Sequence, residues 1–306
     1  MEEATTLLTG ASGGIGQAIA EQLFAEGYSL ILVARRKTVL DELKARLEAS
    51  YPDSDAVIEV CAADLCSAAD REMLALRVEQ HDKPVNRLIN NAGISSFALF
   101  EQESGQSLES IMEINALAPM QLTNLLLPYF KRQTESEVIN VGSTFGSIAF
   151  PGFSAYSASK FALRGFSEAL GRECHDSTLR IRYFAPRATR TNINSVHVEQ
   201  MNDELKVAMD SSQHVAKELL RFIRGSKTTA HLGWPEKGFA KLNQLFPALV
   251  THFISKDLST IKRFGSAVNK INHSVIDASA SLSSGATNST APTASPMSSK
   301  ALQAGC

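Results

Sequence analysis

The chain has few cysteines and no Cys-x-x-Cys pair, and Cys61, Cys66, Cys174 and Cys306 have no histidines at metal-binding spacing. That excludes a zinc ribbon or a dithiol redox motif. It predicts reduced thiols in a cytoplasmic protein, with Cys61 and Cys174 in or near the core. No apolar run approaches the roughly 20 residues needed to span a bilayer. No basic stretch precedes an apolar one at the N-terminus, where Glu2 and Glu3 lead directly into Thr5-Thr6-Leu7-Leu8, so no signal peptide is expected. Neither sign of charge is in excess: 30 Lys and Arg face 32 Asp and Glu, which argues against nucleic acid or an anionic membrane as the main partner. No internal repeat is visible. What remains is a chain of 306 residues, long enough to bury a sizeable core.

That chain alternates short apolar runs with amphipathic stretches from residue 4 to about 235, the pattern of successive βαβ units. Strands are expected at Thr5–Leu8, Ser29–Ala34, Ala56–Ala62, Arg87–Asn90, Glu137–Val141, Arg180–Phe184 and Thr229–Gly233. Helical spacing marks Gly14–Ala25, Val39–Leu47, Glu72–Val78, Leu108–Phe130, Ser154–Glu173 and His214–Ile223. Several strands are apolar throughout, which suits burial on both faces and predicts an α/β fold with a doubly wound parallel sheet. Residues 187–213 are polar and irregular and read as a substrate loop or lid. The domain reading is 1–237 for the catalytic unit, 238–273 for a helical extension and 274–306 for a Ser-, Ala- and Thr-rich disordered tail.

Directly after the first strand comes Thr9-Gly10-Ala11-Ser12-Gly13-Gly14-Ile15-Gly16, opening a helix. A glycine-rich turn there lets the backbone approach a pyrophosphate, and the helix N-terminus offers its free N–H groups to the charge. A site for NAD(H) usually places an acid about 20 residues further on. Here the second strand ends in Arg35-Arg36, with no acid before Asp41. A guanidinium binds a 2′-phosphate that a carboxylate would repel, so Arg35, with Arg36 and Ser12, indicates NADP(H) over NAD(H).

Tyr156 and Lys160 are four apart at the start of an expected helix and so share a face. An ammonium nearby is expected to lower the phenol's pKa and make Tyr156 a usable acid and base. Together these motifs resemble the short-chain dehydrogenase/reductase family over residues 4–235. The cofactor loop Thr9-Gly10-x-x-x-Gly14-Ile15-Gly16 matches. So do Asn90-Asn91-Ala92-Gly93 after the fourth strand, Asn115, Ser143 at the end of the fifth strand, and the Tyr156/Lys160 pair.

The resemblance implies a Rossmann-like domain and the interconversion of a carbonyl and an alcohol with no metal. Tyr156 would exchange the proton, Ser143 would bind the substrate oxygen, Lys160 would hold the nicotinamide ribose and Asn115 would anchor a relay water. It places Asp64, with Leu65, at the adenine, and Asn91, Ala92 and Gly93 beside the cofactor. Pro186, Thr189 and Thr191 fall at the nicotinamide carboxamide. It also implies a homodimer or homotetramer through the two long helices at 108–130 and 154–173. One departure stands out: Arg187 replaces the family's usual glycine. It, or Arg190, would bind an anionic substrate or a cofactor phosphate, or both would face solvent.

Phe97, Phe100, Phe145, Phe150 and Phe153 flank the expected site and suggest an apolar or acyl substrate. The stretch Gly238–Ser259 has apolar residues near helical spacing, interrupted by Pro247. It reads as a helix packed on its own domain or a sister subunit, or alternatively as a lid or a helix on a membrane surface; a membrane-surface helix would carry more Lys or Arg. Besides an active NADP(H)-dependent enzyme, the fold admits a non-catalytic dinucleotide sensor or an NAD-dependent alcohol dehydrogenase.

Overall fold

The computed structural model describes residues 5–191 and 193–266. The expected tail at 274–306, the end of the extension and Cys306 lie outside the described residues.

Seven strands form one parallel sheet. In chain order they are β1 Thr5–Thr9, β2 Ser29–Ala34, β3 Ile58–Ala62, β4 Val85–Asn90, β5 Ser136–Val141, β6 Leu179–Ala185 and, at the edge, Thr229–His231. Two short bridging strands, β7 Thr189–Arg190 and β8 Asp210–Ser211, precede that edge strand, which is therefore β9. The order across the sheet is β3-β2-β1-β4-β5-β6-β9. Chain direction across the sheet reverses between β1 and β4, and such a switch point opens a crevice at the carboxyl ends of the strands.

Alternation along the strands sorts side chains to two faces. Leu8, Leu30 and Leu32 pack under α1 (Gly14–Ala25), α2 (Lys37–Ser50) and α8 (Ser212–Arg224), with Ile19, Leu43 and Leu219. Leu7, Ile31 and Val33 point the other way, under α3 (Ala68–Glu79), α5 (Ala118–Lys131) and α6 (Ser154–Glu173). Both faces are covered, which is why β1, β2 and β5 are buried along their whole length. Cys61 and Cys174 are buried and Cys66 is exposed.

Three expectations change. The helix expected at Leu108–Phe130 runs as α4 (Gly105–Met112), a π-helical turn Glu113–Leu117, then α5. The wider turn falls on Asn115, and such turns concentrate at functional sites. The segment 187–213 is not irregular: it holds β7, β8 and α7 (Val196–Glu204), capped by Ser195. Gly238–Ser259 is two helices, α9 (Glu236–Leu245) and α10 (Pro247–Ser255), with Pro247 starting the second as expected.

At the far end of the sheet from the crevice, Glu137 sits fully buried between two arginines. It accepts from Arg87 Nε and Arg182 Nη1, both at 2.7 Å. Burial pushes the Glu137 carboxyl up, but the two guanidinium groups outweigh it and hold it below the ordinary range.

Candidate active site

The crevice begins where β1 ends. Gly10 has φ +66°, and a Cβ there would come within 2.7 Å of Ala92 Cα. At Gly16 a Cβ would lie 2.1 Å from the Gly10 carbonyl oxygen. The loop is thus closed against itself and against the chain after β4. Thr9 and Asn91 hold it from behind. The Thr9 hydroxyl accepts from the Asn91 and Ala92 amides at 3.0 and 3.2 Å and donates to the Ile89 carbonyl. Asn91 Nδ2 donates to the Thr9 and Gly10 carbonyls. Thr9 is buried and shapes the loop; it does not line it.

No side chain caps α1 at Gly13, so its first-turn N–H groups face the crevice beside Gly14, Ile15 and Gly16. Thr191 leans over them: its Cγ2 is 3.2 Å from where a Gly14 Cβ would stand. Ser12 is half-buried, its carbonyl held by Gln17. This uncapped, glycine-lined helix start fits a dinucleotide pyrophosphate.

Arg35 and Arg36 are exposed just past β2. Asp64, after β3, accepts from the Cys66 amide at 3.1 Å. Burial and Asp64 push the Cys66 thiol up while Arg35 pulls against them, which places Arg35 and Asp64 in one electrostatic neighbourhood. Leu65 packs into the core and offers its carbonyl to the Arg71 guanidinium.

The structure brings the four expected catalytic residues to one place. Ser143 follows β5, and Tyr156 and Lys160 rise from the first turns of α6. The Ser143 hydroxyl stands near enough to the Tyr156 phenol to favour its ionised form. Lys160 Nζ donates to the Val141 carbonyl at 3.0 Å and lies 5.8 Å from the Tyr156 ring centroid. Asn115 is fully buried: its Nδ2 donates to the Ile94 carbonyl and to Ser159 Oγ, and its Oδ1 accepts from the Ile94 amide. Its side chain therefore ties the chain after Gly93 to α6.

The expected lowering of the tyrosine pKa is not found. Burial raises the Tyr156 phenol above its ordinary value, and the nearby Ser143 hydroxyl only opposes that rise. Burial also lowers the Lys160 ammonium to about 8, which weakens the cation meant to favour the phenolate.

A cleft of about 430 Å³ opens above these groups. Phe145, Phe150 and Phe153 line it together with Val198 and Met201 of α7 and Val250, Phe253 and Ile254 of α10. Phe97 packs behind, its ring 5.0 Å from Phe153, whereas Phe100 is mostly exposed and takes no part. Arg187 also departs from expectation. Its Nε and Nη2 donate to the two Asp210 carboxylate oxygens at 3.0 and 2.8 Å, and its Nη1 to the Trp234 carbonyl. It braces the loop instead of presenting a free charge. Arg190 is exposed. Thr189 is buried, its hydroxyl donating to the Arg187 carbonyl, and the Pro186 carbonyl accepts from the Thr144 amide.

Sequence reasoning missed Ser159, Asp210, α7 and Tyr183. The buried Tyr183 ring fills the space where a Gly142 Cβ would lie, and so sets the strand end that carries Ser143. Only α7 carried a signal, Ser195 preceding a helical apolar pair at Val198 and Met201.

The sequence profile of the short chain dehydrogenase family matches residues 4–202. The chain belongs to the short-chain dehydrogenase/reductase family. It is 33 % identical over 203 residues to nodulation protein G of a Rhizobium strain, covering 66 % of this chain and 78 % of that protein. Among solved structures it resembles a short-chain dehydrogenase from Sphingobium yanoikuyae in complex with NADPH. The TM-score is 0.67 at 30 % identity, over 81 % of this chain and 95 % of the other. A bulky-bulky ketone specific alcohol dehydrogenase from Comamonas testosteroni gives 0.67 at 27 %, over 82 % and 95 %. Membership makes this chain a carbonyl/alcohol oxidoreductase with a nicotinamide dinucleotide cofactor. Among the described residues no group of His, Cys, Asp or Glu could hold a metal, and no helix is long and apolar enough to cross a membrane.

Proposed function

We propose that this chain is an NADP(H)-dependent reductase of ketones with extended apolar substituents, with Tyr156 as general acid. The observation that carries the reading is the setting of Tyr156, gathered with Ser143 and Lys160 beneath a cleft walled by phenylalanines, α7 and α10.

A raised pKa keeps the phenol protonated at neutral pH, and that is the form able to give a proton to a developing alkoxide. Ser143 donates a second hydrogen bond to the same oxygen, preorganised by its place at the end of β5. Lys160, fixed by the Val141 carbonyl, holds the nicotinamide ribose, and Asn115 fixes the floor on which both sit. A bound nicotinamide supplies the hydride.

The residues that would hold that cofactor are Gly10, Ser12, Gly14, Ile15 and Gly16 at the pyrophosphate, Arg35 and Arg36 at the 2′-phosphate, and Asp64 and Leu65 at the adenine. Ala92 and Gly93 lie beside it, with Thr9 and Asn91 acting through the loop. Pro186, Thr189 and Thr191 would hold the carboxamide. The NADPH complex of the Sphingobium relative favours the same cofactor here. Leu117, Leu125 and Phe161, exposed on the α5–α6 side, suit a homodimer or homotetramer of a cytoplasmic protein.

The deciding experiment titrates NADPH and NADH against wild type and Arg35→Ala by nicotinamide fluorescence. NADPH binding should weaken about tenfold or more in the variant with NADH unaffected, matching the loss of a charge-assisted pair. Equal binding of both cofactors to wild type would move NAD-dependent alcohol oxidation to the front. Binding of neither would overturn the reductase and the dinucleotide-sensor readings alike.

A further inference from the structure

The C-terminal extension turns one apolar face inward and leaves another bare. Val250 and Ala240 are buried with Ile148, but Leu245 is 73 % exposed, Phe246 58 %, Leu249 45 % and Phe253 43 %. Leu249 and Phe253 are four apart on α10 and share a face, and Phe246, its N-cap, and Leu245 carry exposed apolar surface into the elbow before it, together a ridge. Trp234, 75 % exposed, stands next to the cleft-lining Pro235. Single exposed apolar residues are ordinary; a ridge of large ones is not. Phe253 belongs both to the ridge and to the cleft wall, so the bare face is continuous with the mouth of the cleft.

The charge carried by the same segment says what would cover it. Residues 234–266 hold Lys237, Lys241, Lys256, Lys262 and Arg263 against only Glu236 and Asp257, in a chain that is otherwise slightly acidic. Lys256 lies over the Phe253 ring at 5.2 Å, and Arg263 pairs with Glu204. These cations come from α9 and from the segment after α10. That is why α10 read alone lacks the basic face of a helix that lies on a membrane. We propose that this ridge docks on the surface of a bilayer containing anionic lipid, with its aromatic and leucine side chains at the headgroup boundary and its lysines at the phosphates. A second copy of the chain fits less well, because two-fold pairing of this face would set lysines against lysines. Residues 274–306, rich in Ser, Ala and Thr, offer few large side chains to cover it. Delivery of an apolar substrate from the membrane would rest on the reductase reading; docking itself does not.

The test is flotation of the purified full-length chain with vesicles, a readout that needs no substrate. Wild type should float with phosphatidylcholine vesicles containing about 30 % phosphatidylglycerol and largely be released by about 0.5 M salt. Pure phosphatidylcholine should carry at least about tenfold less. Phe246→Ser/Leu249→Ser should lose flotation at least about tenfold with an unchanged circular dichroism spectrum and melting temperature. Lys237→Glu/Lys241→Glu should lose the preference for anionic vesicles, and it decides the matter if the first variant fails to fold. Three results would overturn the proposal: no flotation of wild type on either vesicle, charge reversal without effect, or a larger wild-type oligomer that Phe246→Ser/Leu249→Ser takes apart.

Discussion

The two walls of the cleft are built by different rules. On the side of β1 and β4, the loop at 9–16 is closed on itself and on Ala92 by backbone contacts so tight that a single methyl group has no room at Gly10 or Gly16. On the side of α7 and α10, the wall is made of side chains on short helices, and some of them stand half in solvent. On the proposed reading the first wall would hold a cofactor that does not vary, which suits a wall written in glycine and asparagine. The second would face a substrate, and only its apolar character is specified. Mutations should therefore act all-or-none on the first wall and by degrees on the second.

The largest effect is expected where the walls meet. Tyr156→Phe removes the proton donor and little volume, so ketone reduction should fall by about 10²–10⁴-fold with cofactor affinity kept. A loss under tenfold would show that another group, or water, supplies the proton. The pH profile sharpens the same point. Tyr156 is raised by burial and stays protonated through neutrality, whereas burial lowers Lys160 to about 8. Reduction should hold steady below pH 8 and decline above it as Lys160 loses its charge; a rate rising through that range would contradict the assignment.

Next in size is the closed backbone of the first wall. Gly16→Ala forces a Cβ to 2.1 Å from the Gly10 carbonyl oxygen, and the loop must open to admit it. NADPH affinity should drop about a hundredfold, roughly 3 kcal/mol, with the sheet intact by circular dichroism. Unchanged affinity would mean that the loop is softer than its contacts imply.

The difference between the walls also explains what the sequence disclosed. Strand positions, the loop at 9–16, the Asn91–Gly93 turn and the grouping of Asn115, Ser143, Tyr156 and Lys160 were legible because each depends on local residue types at fixed spacing. Arg187 was not legible. Its partner Asp210 lies 23 residues on, and nothing local distinguishes a paired arginine from one awaiting an anion. The Glu137 site was equally hidden, since its charges lie on three strands that meet only in the folded sheet. Asn115 was found as a residue but misjudged in detail. The π-helical turn that carries it leaves no mark on an apolar spacing that otherwise runs straight through.

Arg187 gives an intermediate test. Arg187→Ala would leave the Asp210 carboxylate, 8 % exposed, without its bidentate partner. A stability loss of about 2 kcal/mol is expected from the uncompensated charge. Arg187→Ala/Asp210→Ala should recover part of it. If the single variant instead kept its melting temperature and lost turnover only with acidic ketones, Arg187 would be a substrate ligand after all.

The smallest effect, and the one most specific to the second wall, is expected at Phe253. Its ring lines the cleft and packs 6.3 Å from Phe239 while 43 % of it faces solvent. Truncation to alanine removes apolar contact without leaving a sealed cavity, so the cost is that of partial transfer, about 1 kcal/mol. For a long-chain ketone that becomes a KM raised about fivefold with kcat held, the signature of lost binding common to ground and transition states. A short ketone never reaches α10, so its constants should not move, and neither should NADPH affinity. Equal losses for short and long ketones would mean that Phe253 supports the placement of α7 and the catalytic loop instead of touching substrate. The second wall would then be as all-or-none as the first.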